Sequence, residues 1–307
     1  MPGRPIGFLA LLSLPLRRKR PAGRPPQKTP ATTSADIPAG IRVGSFRSPP
    51  YNSYLARRRF FVDNIRDGAA ELLGDEAGHL TRVLRVEAGQ RFEISDGHAA
   101  WLAEVVEARG QRVVFRAIEP LESPAAPVRI TLVAAIVKFD RFEWMVEKAT
   151  ELGVQRILPM NAARTEKGLF EASRKRAERW RRIARESSQQ SRRVSIPEIL
   201  PAAPFERCLA EPADYRYFLE EAGAPPFLNA LPERRTAEDQ VAVMLGPEGG
   251  WTDDERQLAA GAGWLPVSLG PLVLRAETAA AAALAVVGNA WQAAAAPRPE
   301  NVTTIED

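Results

Sequence analysis

The sequence predicts an α/β protein in two parts: a small β-barrel domain, then a larger domain built on an open parallel sheet. Three observations carry this. A chain of 307 residues fits two domains at about 150 residues each. Between residues 57 and 122, short strand-like segments flank a single helical one. From 128 to 296, strands and helices alternate, the rhythm of a parallel sheet covered by helices.

In the first part, RRFFVD (58–63) reads as a short strand and GDEAGHLTRVLRVEAGQ (74–90) as a short helix with Leu80, Val83 and Leu84 on one face. RFEISDG (91–97) and AAWLAEVVEA (99–108) read as a hairpin turning at Asp96-Gly97, and RVVFRAI (112–118) adds another strand. Pro120, Pro124 and Pro127 read as a linker. RITLVAAIV (129–137) is a continuous apolar run, as in a strand covered on both faces. The helix expected at 140–152 sets Phe142, Met145, Val146, Ala149 and Leu152 at helical spacing and ends at Gly153. VQRILPM (154–160) is the next strand. A long basic helix follows at about 171–190, with Trp180 and Ile183 available to its packed face. EIL (198–200), PFERCLAE (204–211) and YRYFLE (215–220) lead to the strand QVAVMLG (240–246). A helix near 253–260, LPVSLG (265–270) and an Ala-rich helix at 276–295 close the domain.

The ends differ in texture. Residues 1–56 are rich in Pro, Arg and Gly and read as a disordered extension or a targeting segment; 297–307 read as a disordered tail. The apolar stretch from Ile6 to Leu16 has the length of a signal core, but Arg17-Arg18-Lys19-Arg20 follows it instead of preceding it.

Composition narrows the function classes. The apolar content of 45% and charged content of 26% exclude disorder throughout. No apolar run approaches the roughly 20 residues of a membrane span. A single cysteine, Cys208, excludes a disulfide framework and a thiolate-rich zinc site, and two histidines, His79 and His98, speak against a histidine-built metal centre. The formal net charge is +4, but residues 1–55 hold nine Lys and Arg against the one acid Asp36. The remaining chain is therefore slightly acidic, and nucleic-acid binding has to rest on local patches.

Ligands of open α/β sheets bind beyond the carboxyl ends of the strands, and two loops there have the composition for it. GPEGG (246–250) follows the apolar strand ending at Leu245. It precedes a helix that Thr252 would cap, with Asp253, Asp254 and Glu255 behind it. Gly246, Gly249 and Gly250 let backbone approach a ligand closely, although a tight turn alone would also use them. The pattern is neither GxGxxG nor a P-loop, and its acidic run suits a cationic or neutral ligand better than a polyphosphate. The second loop, SLGPLVLRAETA (268–279), carries a Gly-Pro turn, then Leu272, Val273 and Leu274, then Arg275 and Glu277. Its apolar residues would pack on a flat ring or simply cover the sheet end, and Arg275 with Glu277 also reads as an ordinary surface pair.

MLGPEGGWTDDE (244–255) and SLGPLVLRAETA (268–279) resemble the two cofactor loops of the RsmE family, SPOUT-superfamily methyltransferases that make 3-methyluridine in 16S rRNA at the decoding centre. RRFFV (58–62) and GHLTRVLRVEAGQ (78–90) resemble its amino-terminal PUA-like RNA-binding domain. KFDRFEWMVEKATELGVQRILPM (138–160) resembles the first βα unit of its catalytic domain, and SSQQSRRVSIPEI (187–199) its EQ-x-x-R…IP segment. The likeness runs from about Arg57 to Ala295. It implies a PUA-like β-barrel over 57–122 and a SPOUT domain with a deep trefoil knot over 128–296. It also implies S-adenosylmethionine as cofactor, a homodimer, the small ribosomal subunit as partner and a cytoplasmic setting, with organelle targeting by 1–56 the alternative. The cofactor would lie against Leu245, Gly246, Gly249, Gly250, Leu269, Gly270, Leu272 and Leu274. Two positions depart from the family pattern: Gln189 stands where Glu is usual, and Leu272 where a basic residue is common.

The residues agree with this chemistry. Methyl transfer from a sulfonium is an in-line displacement that needs no metal. Uracil N3 is protonated at neutral pH, so its proton must be accepted or the developing anion stabilised. Glu248 is the best-placed carboxylate and Arg275 a matching cation; a helix-capping role for Glu248 and a loop-holding role for Arg275 through Glu277 are the structural alternatives. For RNA, Arg156 to Arg193 hold twelve Lys and Arg against four Glu. Arg174, Lys175, Arg176, Arg179, Arg181, Arg182 and Arg185 stud the long helix, although a charge run is also how a solvated face looks. Arg58, Arg59, His79, Arg82 and Arg85 form a second cluster with Arg57, and Arg193 is a further expected RNA contact. A tRNA ribose methyltransferase of the same superfamily and a non-catalytic ribosome-assembly protein are the rival readings.

Overall fold

The computed structural model describes residues 59–122, 126–221 and 223–295. The expected tails, Arg57, Arg58 and Pro124 lie outside these. The first part is a five-stranded sheet of β1 (Arg59–Phe61), β2 (Ala69–Leu73), β3 (Arg91–Ser95), β4 (Ala100–Arg109) and β5 (Arg112–Leu121), in the order β1-β3-β4-β5-β2. The expected hairpin joins β3 to β4 with Ser95 opposite Ala100. Gly97 has φ 90°, and the Asp96 carboxylate accepts the N–H groups of His98 and Ala99 at 3.0 and 2.9 Å. Irregular register at Leu102/Ala103 and Val105/Glu107 bends the β4–β5 pair. β1 and β2 stay at opposite edges among the described residues, so the expected β-barrel domain takes the form of a curled half-barrel.

Helix α1 (Gly74–Arg82) fills the curl, with Ala77 and Leu80 buried among Phe60, Leu72, Ile94, Val113 and Phe115. It ends at Arg82, and Arg85 turns the chain at φ 50°. Val83 and Leu84 are therefore exposed, at 63% and 46%, instead of joining the Leu80 face. Strand β2 was not anticipated, because AAELL is rich in helix formers and its period of two is carried by Ala70 and Leu72 alone. Pro120, expected in a linker, lies inside β5 opposite Trp101.

The second part is a parallel sheet of β6 (Arg129–Ala135), β7 (Arg156–Asn161), β8 (Glu198–Ile199), β10 (Tyr215–Glu220), β11 (Gln240–Leu245) and β12 (Leu265–Ser268), with β9 (Ala203–Pro204) also beside β7. Its order is β12-β10-β11-β6-β7-β8. Ile130, Leu132 and Ala134 enter one apolar core with Phe142, Met145, Trp180, Leu284 and Trp291, whereas Val133 and Ala135 enter the opposite one with Phe205, Phe218, Met244 and Trp251. Two covered faces explain the unbroken apolar run of β6. Helices α2 (Phe139–Glu151), α4 (Ala177–Gln190) and α7 (Ala276–Ala295) supply the first core; Leu152, beyond the end of α2, is exposed. Helix α5 (Phe205–Cys208) and α6 (Asp253–Gly261) contribute to the second.

The expected long basic helix is two pieces, α3 (Leu169–Ser173) and α4. Ser173 is buried and its hydroxyl donates back to the Phe170 carbonyl at 2.6 Å, a local bond that competes with helix continuation. Helix α4 then seats Trp180 against Phe142, ring centroids 4.5 Å apart. The far end of α4 meets the half-barrel. Arg185 donates to Glu76 on α1 at 2.7 and 3.0 Å and to the Phe61 carbonyl at 2.9 Å, and Gln189 also donates to Glu76. Beside them the Ser95 hydroxyl donates to the Val194 carbonyl at 2.7 Å.

Candidate active site

Four neighbouring strands, β12, β10, β11 and β6, deliver their carboxyl ends to one place. Leu245 on β11 pairs with Ala134 on β6, and Glu220 on β10 pairs with Ser268 on β12. The loops that follow β10, β11 and β12, with the first turn of α2, enclose a cavity of roughly 300 Å³. Its wall contains Leu245, Gly246, Gly250, Leu269, Gly270, Leu272 and Leu274, all anticipated as cofactor contacts, together with Glu248 and Arg275. It also contains Arg141, Leu219, Glu220, Glu221, Trp251 and Arg256, which the sequence pattern did not reveal.

Local chemistry shapes the first loop. A Cβ on Gly246 would come within 2.8 Å of the Trp251 ring. That ring stacks on Phe218 at 4.3 Å, and its N–H donates to the Leu219 carbonyl at 2.8 Å, tying the β11 loop to β10. Gly250 has φ 68°, in the left-handed region that disfavours side chains. Gly249 faces away from the cavity: its Cβ would lie 3.2 Å from Cβ of Arg164, whose guanidinium donates to the Gly249 and Trp251 carbonyls at 2.9 and 3.1 Å. Gly249, expected among the cofactor contacts, is therefore absent from the cavity wall, and its carbonyl is held by Arg164. Thr252 caps α6 as expected, in a capping box with Glu255, and Glu255 also accepts the Ala163 N–H at 2.8 Å. The acidic start of α6 thus anchors the loop after β7.

The second loop turns at Gly270 and leaves Leu272 and Val273 76% and 75% exposed. They do not cover the sheet end; they stand at the cavity as a free apolar surface. Among the described residues Arg275 and Glu277 form no ion pair with each other, and Oε2 of Glu277 is buried without a hydrogen-bond partner. Around the wall, Arg256 binds Glu220 at 2.8 Å and Asp253 at 3.0 Å, and Arg141 pairs with Glu248.

The expected RNA contacts divide into two groups. His79, Arg82 and Arg85 are exposed on the half-barrel, and Arg174, Lys175 and Arg182 are exposed around α3 and α4 with no ion pair among the described residues. Arg59 is a correction: it is 4% exposed, binds Glu93 at 3.0 Å and donates to the Arg192 carbonyl at 2.7 Å, which places it in the seam with α4. Arg193 is another. Its guanidinium donates to the Thr150 and Ser195 carbonyls at 2.7 and 3.1 Å, and burial pulls its pKa down to about 10. Arg176 and Arg179 are held by Glu143.

Comparison with known proteins bears on the same architecture. Residues 124–288 match the RNA methyltransferase domain family, and residues 72–118 match the RNA methyltransferase PUA domain family. A ribosomal RNA small subunit methyltransferase E from Synechocystis sp. is 30% identical over 84% of this chain and 86% of its own. The chain belongs to the RsmE family. The Mycobacterium bovis member is 34% identical over 77% of this chain and 94% of its own. The crystal structure of the Neisseria gonorrhoeae RsmE bound to S-adenosyl methionine matches with a TM-score of 0.69 and 28% identity, covering 76% of this chain and 98% of that one. A Legionella pneumophila protein solved in complex with SAM matches equally well at 30% identity. Within this RsmE member, the departure at Gln189 falls in the seam with α1 and outside the cavity wall, whereas that at Leu272 falls on the wall itself.

Proposed function

We propose that the protein methylates N3 of a uridine in the 16S rRNA of the small ribosomal subunit, using S-adenosylmethionine. One observation carries this reading: the two glycine loops meet around a single cavity at the carboxyl edge of the sheet, in a chain that aligns with SAM-bound relatives over three-quarters of its length. The wall fits the cofactor. Leu245, Leu269, Leu272 and Leu274 offer apolar surface to a flat purine, and Glu221 offers a carboxylate to a ligand that carries ammonium and sulfonium charge. Gly246 and Gly250 bring backbone close to it. Bound there, the cofactor supplies an activated methyl group; the chain's part is to bind, orient and stabilise charge.

Glu248 and Arg275, the residues expected near the uracil imide, both stand in the cavity wall, where Glu248 is paired with Arg141. His79, Arg82 and Arg85 on the half-barrel, with Arg174, Lys175 and Arg182 on the helical face, are the phosphate contacts. The same reading takes the second domain as a trefoil knot and the protein as a cytoplasmic homodimer, in which the exposed Leu272 and Val273 gain cover. No helix among the described residues is long and apolar enough to cross a membrane. Mass spectrometry of 16S rRNA from a strain lacking the gene tests the function. Loss of one N3-methyluridine is the expected result; an unchanged modification profile contradicts it.

A further inference from the structure

Three arginines stand in the cavity wall, and their surroundings differ. Arg256 is engaged by two carboxylates, Glu220 and Asp253. Arg275 is exposed, and among the described residues no carboxylate fixes its guanidinium. Arg141 has one carboxylate partner, Glu248 of the first glycine loop. A guanidinium has five N–H donors, and one carboxylate uses at most two of them. Arg141 is therefore held in place yet still able to donate.

The sheet explains why these two residues meet. β6 and β11 are neighbours with Ala134 opposite Leu245, so α2 and the glycine loop begin side by side. Arg141 sits in the first turn of α2, next to Phe142, which is fully buried in the core. Its backbone N–H donates to the Lys138 carbonyl at 3.0 Å, and its guanidinium is held by the ion pair with Glu248. Charge-stabilising groups need this fixed placement, because a donor that must reorganise during the reaction loses much of its effect.

Uracil supplies the demand. When N3 loses its proton, negative charge spreads onto N3 and the two flanking carbonyl oxygens. We propose that Arg141 is a further catalytic residue: it donates to a uracil carbonyl and carries that charge, while Glu248 is the positioning carboxylate that aims it. The inference rests on the uridine-N3 reading and deepens it. The N3 proton leaves to water, the freed N3 electron pair forms the bond to the methyl carbon, and the carbon–sulfur bond breaks with its pair kept by sulfur. The sulfonium becomes a neutral thioether and the methylated uracil is neutral.

The test compares rates on small subunits assembled with uridine or with 5-fluorouridine, whose N3 is more acidic and needs less stabilisation. Arg141→Gln is expected to lower kcat on uridine by about 10²–10³-fold, the usual effect of removing one such donor. Its loss on 5-fluorouridine should be much smaller, with SAM affinity near that of the unmodified protein. Glu248→Gln should cost less, because the glutamine carbonyl still accepts from the guanidinium, and Arg141→Lys should fall between. An unchanged kcat in Arg141→Gln overturns the proposal, as does an equal loss on both substrates. If that variant fails to fold or to bind SAM, Arg141→Lys decides: a ratio of the two rates equal to the unmodified protein's also overturns it. A product other than N3-methyluridine from the unmodified protein would instead sink the functional reading beneath it.

Discussion

Gln189 is the position where sequence and structure give the sharpest joint expectation. Its amide donates to Glu76, which also takes two bonds from Arg185. Gln189→Glu removes a hydrogen bond to a charged acceptor, worth about 1.5–3 kcal/mol, and presses a second carboxylate against Glu76 in a site where residue 189 is buried. One arginine would then serve two acids. A net destabilisation of about 3 kcal/mol corresponds to a fall in Tm of about 6–12 °C for a folded unit of this size. The new carboxyl would titrate above the ordinary glutamate range, because burial and a like charge both disfavour its ionised form. The deficit is therefore full above that raised pKa and shrinks as pH falls through it. Thermal melts by circular dichroism at pH 8 and pH 5.5 measure both features, and kcat on saturating subunits should be unchanged because residue 189 is outside the cavity wall. An unchanged Tm with a large gain in kcat would refute this reasoning and make the position part of the chemistry.

Gly250→Val forces a β-branched residue to φ 68°, a strain of about 1–3 kcal/mol; calorimetry should show weakened SAM binding with subunit binding retained, and an unchanged Kd for SAM would remove this loop from the cofactor site. Replacing Arg174, Lys175 and Arg182 by Ala should weaken subunit binding and flatten its log–log salt slope by roughly 0.7–0.9 for each phosphate left unneutralised; an unchanged slope would take that face out of the RNA path. Arg193→Ala should instead destabilise the fold by about 2–4 kcal/mol through the removal of charge-assisted bonds and leave the salt slope alone; the reverse pattern would restore it as a phosphate ligand. The Cys208 thiol is buried, and that burial pushes its pKa up to about 12. It should resist thiol reagents at pH 8 until the protein is denatured, and rapid labelling of the native protein would contradict its placement.

Much of the second domain was legible because its elements have strong periods. The strand expected from Arg129, which runs to Ala135 instead of 137, the α2 face of Phe142, Met145, Val146 and Ala149, and the strand ending at Leu245 stand where the pattern put them. The half-barrel was less so. AAELL looks helical until Phe115 and Val113 pair with it, and closure of a barrel is a long-range property that no single strand announces. At the site, the glycine loops could be located from composition, but which loops converge depends on the order β12-β10-β11-β6, which is not written in any local segment. Arg141, Glu220 and Arg256 were missed for that reason. Arg59 and Arg193 failed in the other direction: charge alone marks an RNA contact, and only the three-dimensional seam reveals that these guanidiniums are consumed by Glu93 and by backbone carbonyls.

The most direct test of the central claim is to incubate the purified protein with small ribosomal subunits lacking the modification and methyl-labelled S-adenosylmethionine, then digest the rRNA and locate the label by tandem mass spectrometry. The expected result is label on the base of a uridine in 16S rRNA, at N3. Label on a ribose, on another base or on no nucleotide at all would contradict it.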